Sequence, residues 1–191
     1  MSVITVQLGQ CGNQMGYHFF ESLAETARAA STSTPARSYV SSSRTRENFG
    51  QDLVERFFHE RLPPLGSPSS SATLHARSVL VDMESKVVDH VTDAAAAAAK
   101  LRHRRQNRGG GSSSGSCDDP SCNFNWSFNP QRIFSRKMGS GNNWANGYYN
   151  YGPQCKDEIV EMVRKEVEYC DSVDGFLLLM SLAGKRSDLR M

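Results

Sequence analysis

The sequence predicts a doubly wound parallel α/β sheet, one strand layer with helices on both faces. Three observations carry this. Short apolar runs suited to strands alternate with segments whose apolar residues recur at helical spacing, in the order strand, helix, strand, helix, strand, helix, strand. The run from Gly175 to Leu182 is apolar almost throughout, which suits a strand covered on both faces. Such an alternation with right-handed crossovers builds a parallel sheet.

The elements follow in chain order. Val3 to Leu8 is a short β-branched, apolar run and predicts the first strand. Behind it Met15, Phe19 and Leu23 stand four apart and mark the stripe of a helix. The second strand lies near residues 77–82, within Arg77-Ser78-Val79-Leu80-Val81-Asp82-Met83. Lys86 to Leu101 reads as a helix, with six alanines from Ala94 to Ala99. Alanine has the highest helix propensity, but this part carries no apolar stripe to fix its packing. Arg132 to Ser135 predicts a short third strand. Pro153 suits a first helical turn, and Ile159, Val163 and Val167 repeat every four residues behind it, with Met162 and Cys170 alongside. Residues 175–182 form the fourth strand.

Three stretches, 30–46, 62–73 and 102–130, are rich in Ser, Gly or Pro, or in charge, and read as surface loops or disorder. They bury too little apolar area to offset an ordering cost of ~1–2 kcal/mol per residue. The rest fits one domain. The 191 residues carry 22 basic and 20 acidic side chains, so no charge excess calls for nucleic acid or an anionic membrane. No run approaches the ~18 apolar residues of a spanning helix. The amino terminus has neither a basic leader nor a long apolar core, which predicts no secretory signal. Five cysteines, an odd count, then read as reduced thiols of a cytoplasmic protein.

In doubly wound sheets ligands bind outside the carboxyl ends of the strands. The first strand runs into Gly9-Gln10-Cys11-Gly12-Asn13-Gln14. Two glycines permit close backbone approach, and a following helix offers unpaired N–H groups to phosphate; the alternative is an ordinary glycine turn. The second strand ends in Asp82 and Glu84, two apart and so on one side of an extended segment. Such a pair holds hydrated Mg²⁺, or is two solvated acids. The third loop, Gly139-Ser140-Gly141-Asn142-Asn143-Trp144, offers flexible backbone and short polar groups to phosphate oxygens, or is a Gly/Asn turn. Trp144 stands where a dinucleotide fingerprint needs its third glycine, and no G-x-x-x-x-G-K-[ST] segment occurs. The three together, at successive strand ends, weigh far more than any one.

These segments closely resemble the tubulin superfamily. Val6 to Gln14 resembles its amino-terminal signature, Arg77 to Glu84 its second strand and acidic loop, and Gly139 to Ala145 its third loop. Thr5-Val6-Gln7-Leu8, Val81-Asp82-Met83-Glu84, Lys86-Val87, Arg164-Lys165-Glu166-Val167-Glu168 and Met180-Ser181-Leu182-Ala183-Gly184 point to the delta branch of that family. The resemblance implies a Rossmann-like GTPase domain of the tubulin/FtsZ type, over residues 1–184. It also implies GTP with Mg²⁺ as ligands, and a cytoskeletal protein linked to microtubules, centrioles, basal bodies and flagella. Other tubulins, microtubule or centriolar proteins and chaperones would be its partners. By this resemblance Gly9, Gln10, Cys11 and Gly12 meet the β-phosphate region, Asp82 and Glu84 organise Mg²⁺ and its waters, Ser140, Gly141 and Asn142 meet the γ-phosphate region, and Ser181 lies near the nucleotide.

The chain departs from the family after Gly184, where Lys185-Arg186-Ser187-Asp188-Leu189-Arg190-Met191 replaces a glycine- and threonine-rich phosphate loop. Ser85 stands where the family usually has proline. The guanine-reading segment and the acidic region that completes hydrolysis have no counterpart here. The expectation is an amino-terminal fragment with a divergent tail over 185–191, no assigned catalytic residue and, as the alternative function, little or no GTP binding. Cys117, Cys122 and His103 provide three loosely spaced ligand types where zinc needs four, so they read as loop residues. The basic cluster between Lys100 and Arg108 reads as a solvated loop before a nuclear signal or an RNA or tubulin-tail contact.

Overall fold

β1 (Ser2–Leu8) is buried along nearly its whole length, because strands flank it on both sides. The computed structural model that shows this describes residues 1–32, 42–61, 73–108, 125–136 and 143–181. At Gly9 the backbone turns with φ of 67°, a left-handed conformation that costs other residues a Cβ clash, and α1 (Gly9–Thr32) starts at once. After it come α2 (Ser42–Phe57), β2 (Phe58–Arg61), β3 (Thr73–Ala76), β4 (Ser78–Asp82) and α3 (Ser85–Arg108). β5 (Trp126–Ser127) precedes a 3₁₀ turn over Pro130–Arg132, capped by the Asn129 side chain, and β6 (Ile133–Ser135). α4 (Trp144–Asn146) and a π turn over Gly147–Tyr151 lead into α5 (Gly152–Val167), and β7 (Val173–Leu179) follows.

The main sheet has the order β6-β4-β1-β7, and every neighbouring pair is parallel. Val6 lies level with Val79 and Leu178, while Gln7 lies level with Leu80 and Leu179. Successive strand residues point to opposite faces, so the sheet presents two apolar surfaces. Val6, Leu8, Val79, Val81 and Phe134 pack with Cys155 and Ile159 of α5. Leu80 packs on the other side with Phe20 and Ala24 of α1 and Val88, Val91 and Ala95 of α3. Helices on both faces of a parallel sheet are the doubly wound arrangement expected, with the expected four strands.

A second, three-stranded sheet of order β2-β3-β5 was not foreseen. It closes the α1–α3 side around fully buried Trp126, whose ring meets Phe20, Phe58 and Phe128, and whose Nε1 donates to Glu21 Oε2 at 3.1 Å. The loop expectation over 30–46 fails at both ends, where α1 continues to Thr32 and α2 starts at Ser42. The helices meet through small residues. A Cβ on Gly50 would lie 3.0 Å from that of Ala30 and 3.3 Å from the Ala27 carbonyl oxygen. Close contact through Gly and Ala leaves no large apolar stripe to recognise. The loop expected over 102–130 is likewise helical to Arg108 and holds β5 and the 3₁₀ turn at its far end. In the expected 62–73 loop Thr73 already belongs to β3, and the rest lies outside the described residues. The alanine run does contribute to packing, since Ala95 follows Val88 and Val91 into the core.

β7 corrects one further expectation. Its residues alternate in burial, and Phe176 and Leu178 are 58% and 54% exposed. The strand stands at the end of the sheet order, on the side of β1 away from β4, so one of its faces lies open. An apolar run reports composition, not position in the sheet.

Candidate functional site

Because the four strands are parallel, Leu8, Asp82, Ser135 and Leu179 end at one edge. The Gly9 turn and the Asp82–Glu84 segment leave the two central strands at that edge.

The first loop is the Gly9 turn. α1 begins with no acidic side chain in its first turn. The first four N–H groups of a helix have no intrahelical acceptor, and they form the positive end of its dipole. Gln10 and Cys11 are exposed there, while Gly12 is buried. Gly12 has a packing reason of its own: a Cβ would come 2.2 Å from the Leu179 carbonyl oxygen. Its hydrogen lets α1 sit directly against the end of β7. Gly16 similarly leaves room for the Gln7 side chain, to which a Cβ would come within 2.2 Å.

The second loop carries Asp82 and Glu84. Asp82 is only 8% exposed, whereas Glu84 is exposed. The Glu84 backbone N–H donates to Asp82 Oδ1 at 3.1 Å, so one oxygen is engaged by its own loop. Asp82 Oδ2 is buried without a hydrogen-bond partner. Burial is the main force pushing the Asp82 carboxyl above the ordinary aspartate range, and the charge of Glu84 pushes the same way. The Glu84 N–H that donates to Oδ1 opposes it, as do the nearby Met83 N–H and Asn13 amide dipoles.

Ser140, Gly141 and Asn142 of the third loop lie outside the described residues, as do Cys117 and Cys122. The loop's exit is defined by Asn143, whose Oδ1 accepts from the N–H groups of Ala145 at 3.0 Å and Asn146 at 3.3 Å. Asn143 thus caps the helical turn that follows. Ser181 stands two residues beyond β7, partly buried.

Two amides at this edge escaped the sequence reading. Gln7 and Asn13 are both fully buried. Asn13 Nδ2 donates to the Gly9 carbonyl at 2.9 Å and to the Val81 carbonyl at 3.3 Å. Asn13 Oδ1 and both amide atoms of Gln7 have no hydrogen-bond partner. The available signal was a polar amide inside an otherwise apolar strand, and another four residues after the glycine that opens the helix.

Buried carboxylate and amide oxygens lacking donors fit a hard cation or its water shell. Mg²⁺ keeps several waters and needs only one or two carboxylates besides substrate phosphates. No group of three or more His, Cys, Asp or Glu that could hold a metal occurs among the described residues, so an all-protein cage is not what this edge provides. The helix start supplies the complementary chemistry, N–H donors for an anion. No helix among the described residues is long and apolar enough to cross a membrane.

A doubly wound parallel sheet with a glycine turn, a helix start and an acidic loop on its carboxyl edge defines a Rossmann-like class of α/β domain. Within that class the chain belongs to the Tubulin/FtsZ family, whose GTPase domain model matches residues 2–185. Over 184 residues it is 35% identical to the tubulin delta chain of Homo sapiens, covering 96% of this chain and 32% of that protein. The delta chains of Canis lupus familiaris and Mus musculus are 35% and 34% identical over the same length and coverage. The chain thus spans about a third of the length of these relatives.

Proposed function

We propose that the carboxyl edge of the main sheet binds the phosphates of GTP together with Mg²⁺. The observation that carries this is the pairing, on one edge, of the glycine turn that opens α1, with no acidic side chain in the first helical turn, and a buried Asp82 oxygen without a hydrogen-bond partner. In this reading backbone N–H groups from Gly9 to Gly12 donate to the β-phosphate region, and Gln10 and Cys11 line its approach. Asp82 holds the metal or its waters, with Glu84 as the outer carboxylate. Ser140, Gly141 and Asn142 serve the γ-phosphate region and Ser181 the nucleotide's flank. Bound Mg²⁺ would neutralise phosphate charge there. The wider role, as a tubulin-type cytoskeletal subunit at microtubules, centrioles, basal bodies or flagella with other tubulins as partners, rests on the family and the delta relatives.

A second reading is favoured by Lys185 and Arg186, which follow Gly184 where further glycines would let backbone approach a phosphate closely. Loops that meet only phosphates bind weakly and discriminate GTP from ATP poorly. Each missing hydrogen bond to a charged group forfeits ~1.5–3 kcal/mol, and every ~1.4 kcal/mol is tenfold in affinity. Calorimetry of the 191-residue chain with GTP and ATP, in Mg²⁺ and in EDTA, tests both. Mg²⁺-dependent binding supports the phosphate site. Weak, unselective binding supports the second reading within it, and no Mg²⁺-dependent binding of either nucleotide overturns the site.

A further inference from the structure

Asn13 starts the second turn of α1, fully buried, and its Nδ2 serves two carbonyl groups, one four positions and the other 68 positions from it in sequence. One belongs to Gly9, the residue whose φ of 67° opens the helix. The other belongs to Val81, the residue before Asp82. Both neighbours are acceptors, so the amide can only place its nitrogen toward them. That orientation leaves Oδ1 buried and without a hydrogen-bond partner, an arrangement that costs stability. A hydrocarbon side chain of similar size would fill the space without that cost, so packing alone does not account for an amide here.

We propose that Asn13 is the positioning residue of this edge, its amide tying the Gly9 turn to the end of β4 so that the helix-start donors and the Asp82 carboxylate move as one unit. The proposal rests on the phosphate and metal reading for what the unit binds, but not for the tie itself. A ligand that orders one loop then orders the other, and Mg²⁺ at the acidic loop strengthens phosphate binding at the helix start. In free-energy terms Asn13 carries part of the coupling between the two ligands.

The test uses the full chain with Asn13→Ala and Asn13→Ser, first without ligand. Hydrogen–deuterium exchange is followed at residues 13–16, whose N–H groups make the first helical bonds of α1, and at Met83 and Glu84. Both segments should exchange about tenfold faster in the variants, while α5 and β6 stay unchanged, because local openings report local contacts. Calorimetry then compares GTP affinity in Mg²⁺ with that in EDTA. The Mg²⁺ enhancement should fall about fivefold or more in the variants, with affinity in EDTA nearly unchanged. A purely structural brace would not move that ratio. Faster exchange in one segment only or in neither, or an unchanged Mg²⁺ enhancement, would overturn the proposal. So would global unfolding of both variants, which would make Asn13 a determinant of the fold. If the wild-type chain binds no nucleotide, the functional reading fails, and the exchange result alone decides whether Asn13 ties the loops.

Discussion

At Gly12 a methyl group has no room, since the Leu179 carbonyl oxygen would lie 2.2 Å and its carbon 3.0 Å from a Cβ. Both are backbone atoms, so relief requires moving α1 or the end of β7. Gly12→Ala should destabilise the chain by about 1–3 kcal/mol despite alanine's better helix propensity, read from urea unfolding midpoints. Asp82 presents the opposite case, a buried charge that the free protein bears as a cost. Its folded-state pKa is raised, chiefly by burial, so the folded protein holds the proton more tightly than the unfolded chain does. Its contribution is therefore full below the unfolded aspartate value, about 3.9, and is lost as pH rises through the higher folded value. Asp82→Asn should accordingly raise thermal stability at neutral pH and give little gain below that unfolded value. The same variant should weaken any Mg²⁺-dependent nucleotide binding. A neutral-pH melting temperature below wild type would contradict the sign.

Between elements, a buried ion pair fixes α5 to the turn before β6. Glu166 near the end of α5 is fully buried, and its Oε2 accepts from Arg132 Nε at 3.1 Å. Its Oε1 lies 3.4 Å from His59 Nδ1 of β2, close enough for a charge pair when the imidazole is protonated, though not aligned as a hydrogen bond. The His59 ring stacks on Tyr169, so α5, β2 and the 3₁₀ turn converge on one carboxylate. Removing one member of a buried pair strands the other's charge, at about 3–5 kcal/mol. Glu166→Gln keeps the volume and should lower stability by roughly that amount in urea unfolding. A loss under about 1 kcal/mol would mean that water reaches Arg132. The α1–α2 contact makes the complementary prediction. Gly50→Val should destabilise by about 1–3 kcal/mol through overpacking against Ala30 and Ala27.

Across the molecule, the unevenness of the sheet decides behaviour in solution. Among the described residues β6 and β7 are the end strands, and β7 also shows Phe176 and Leu178 to solvent. Open strand edges with apolar side chains are templates for association. The 191-residue chain should self-associate or need a binding partner, and Phe176→Ser with Leu178→Ser should shift it toward monomer without loss of helix content. Sedimentation velocity with circular dichroism checks this, and a wild-type chain that stays monodisperse at high concentration would refute it.

The sequence by itself determined the fold class, the four strands of the main sheet, the three large helices nearest it and the positions of Gly9 and Asp82 at the ends of the two central strands. Those features rest on local periodicity and on glycine placement, which each segment carries without reference to the others. The spacing of Asp82 and Glu84 was legible too, but not that one would be buried and the other exposed. Only tertiary structure decided that α2 packs through Gly50 and small alanines, and that β2, β3 and β5 form a second sheet around Trp126. It also decided that Phe176 and Leu178 face outward and that Asn13 reaches the end of β4. Each of these depends on which residues meet across long sequence separations. Composition reports how apolar a segment is, whereas strand order and helix crossing decide what covers it.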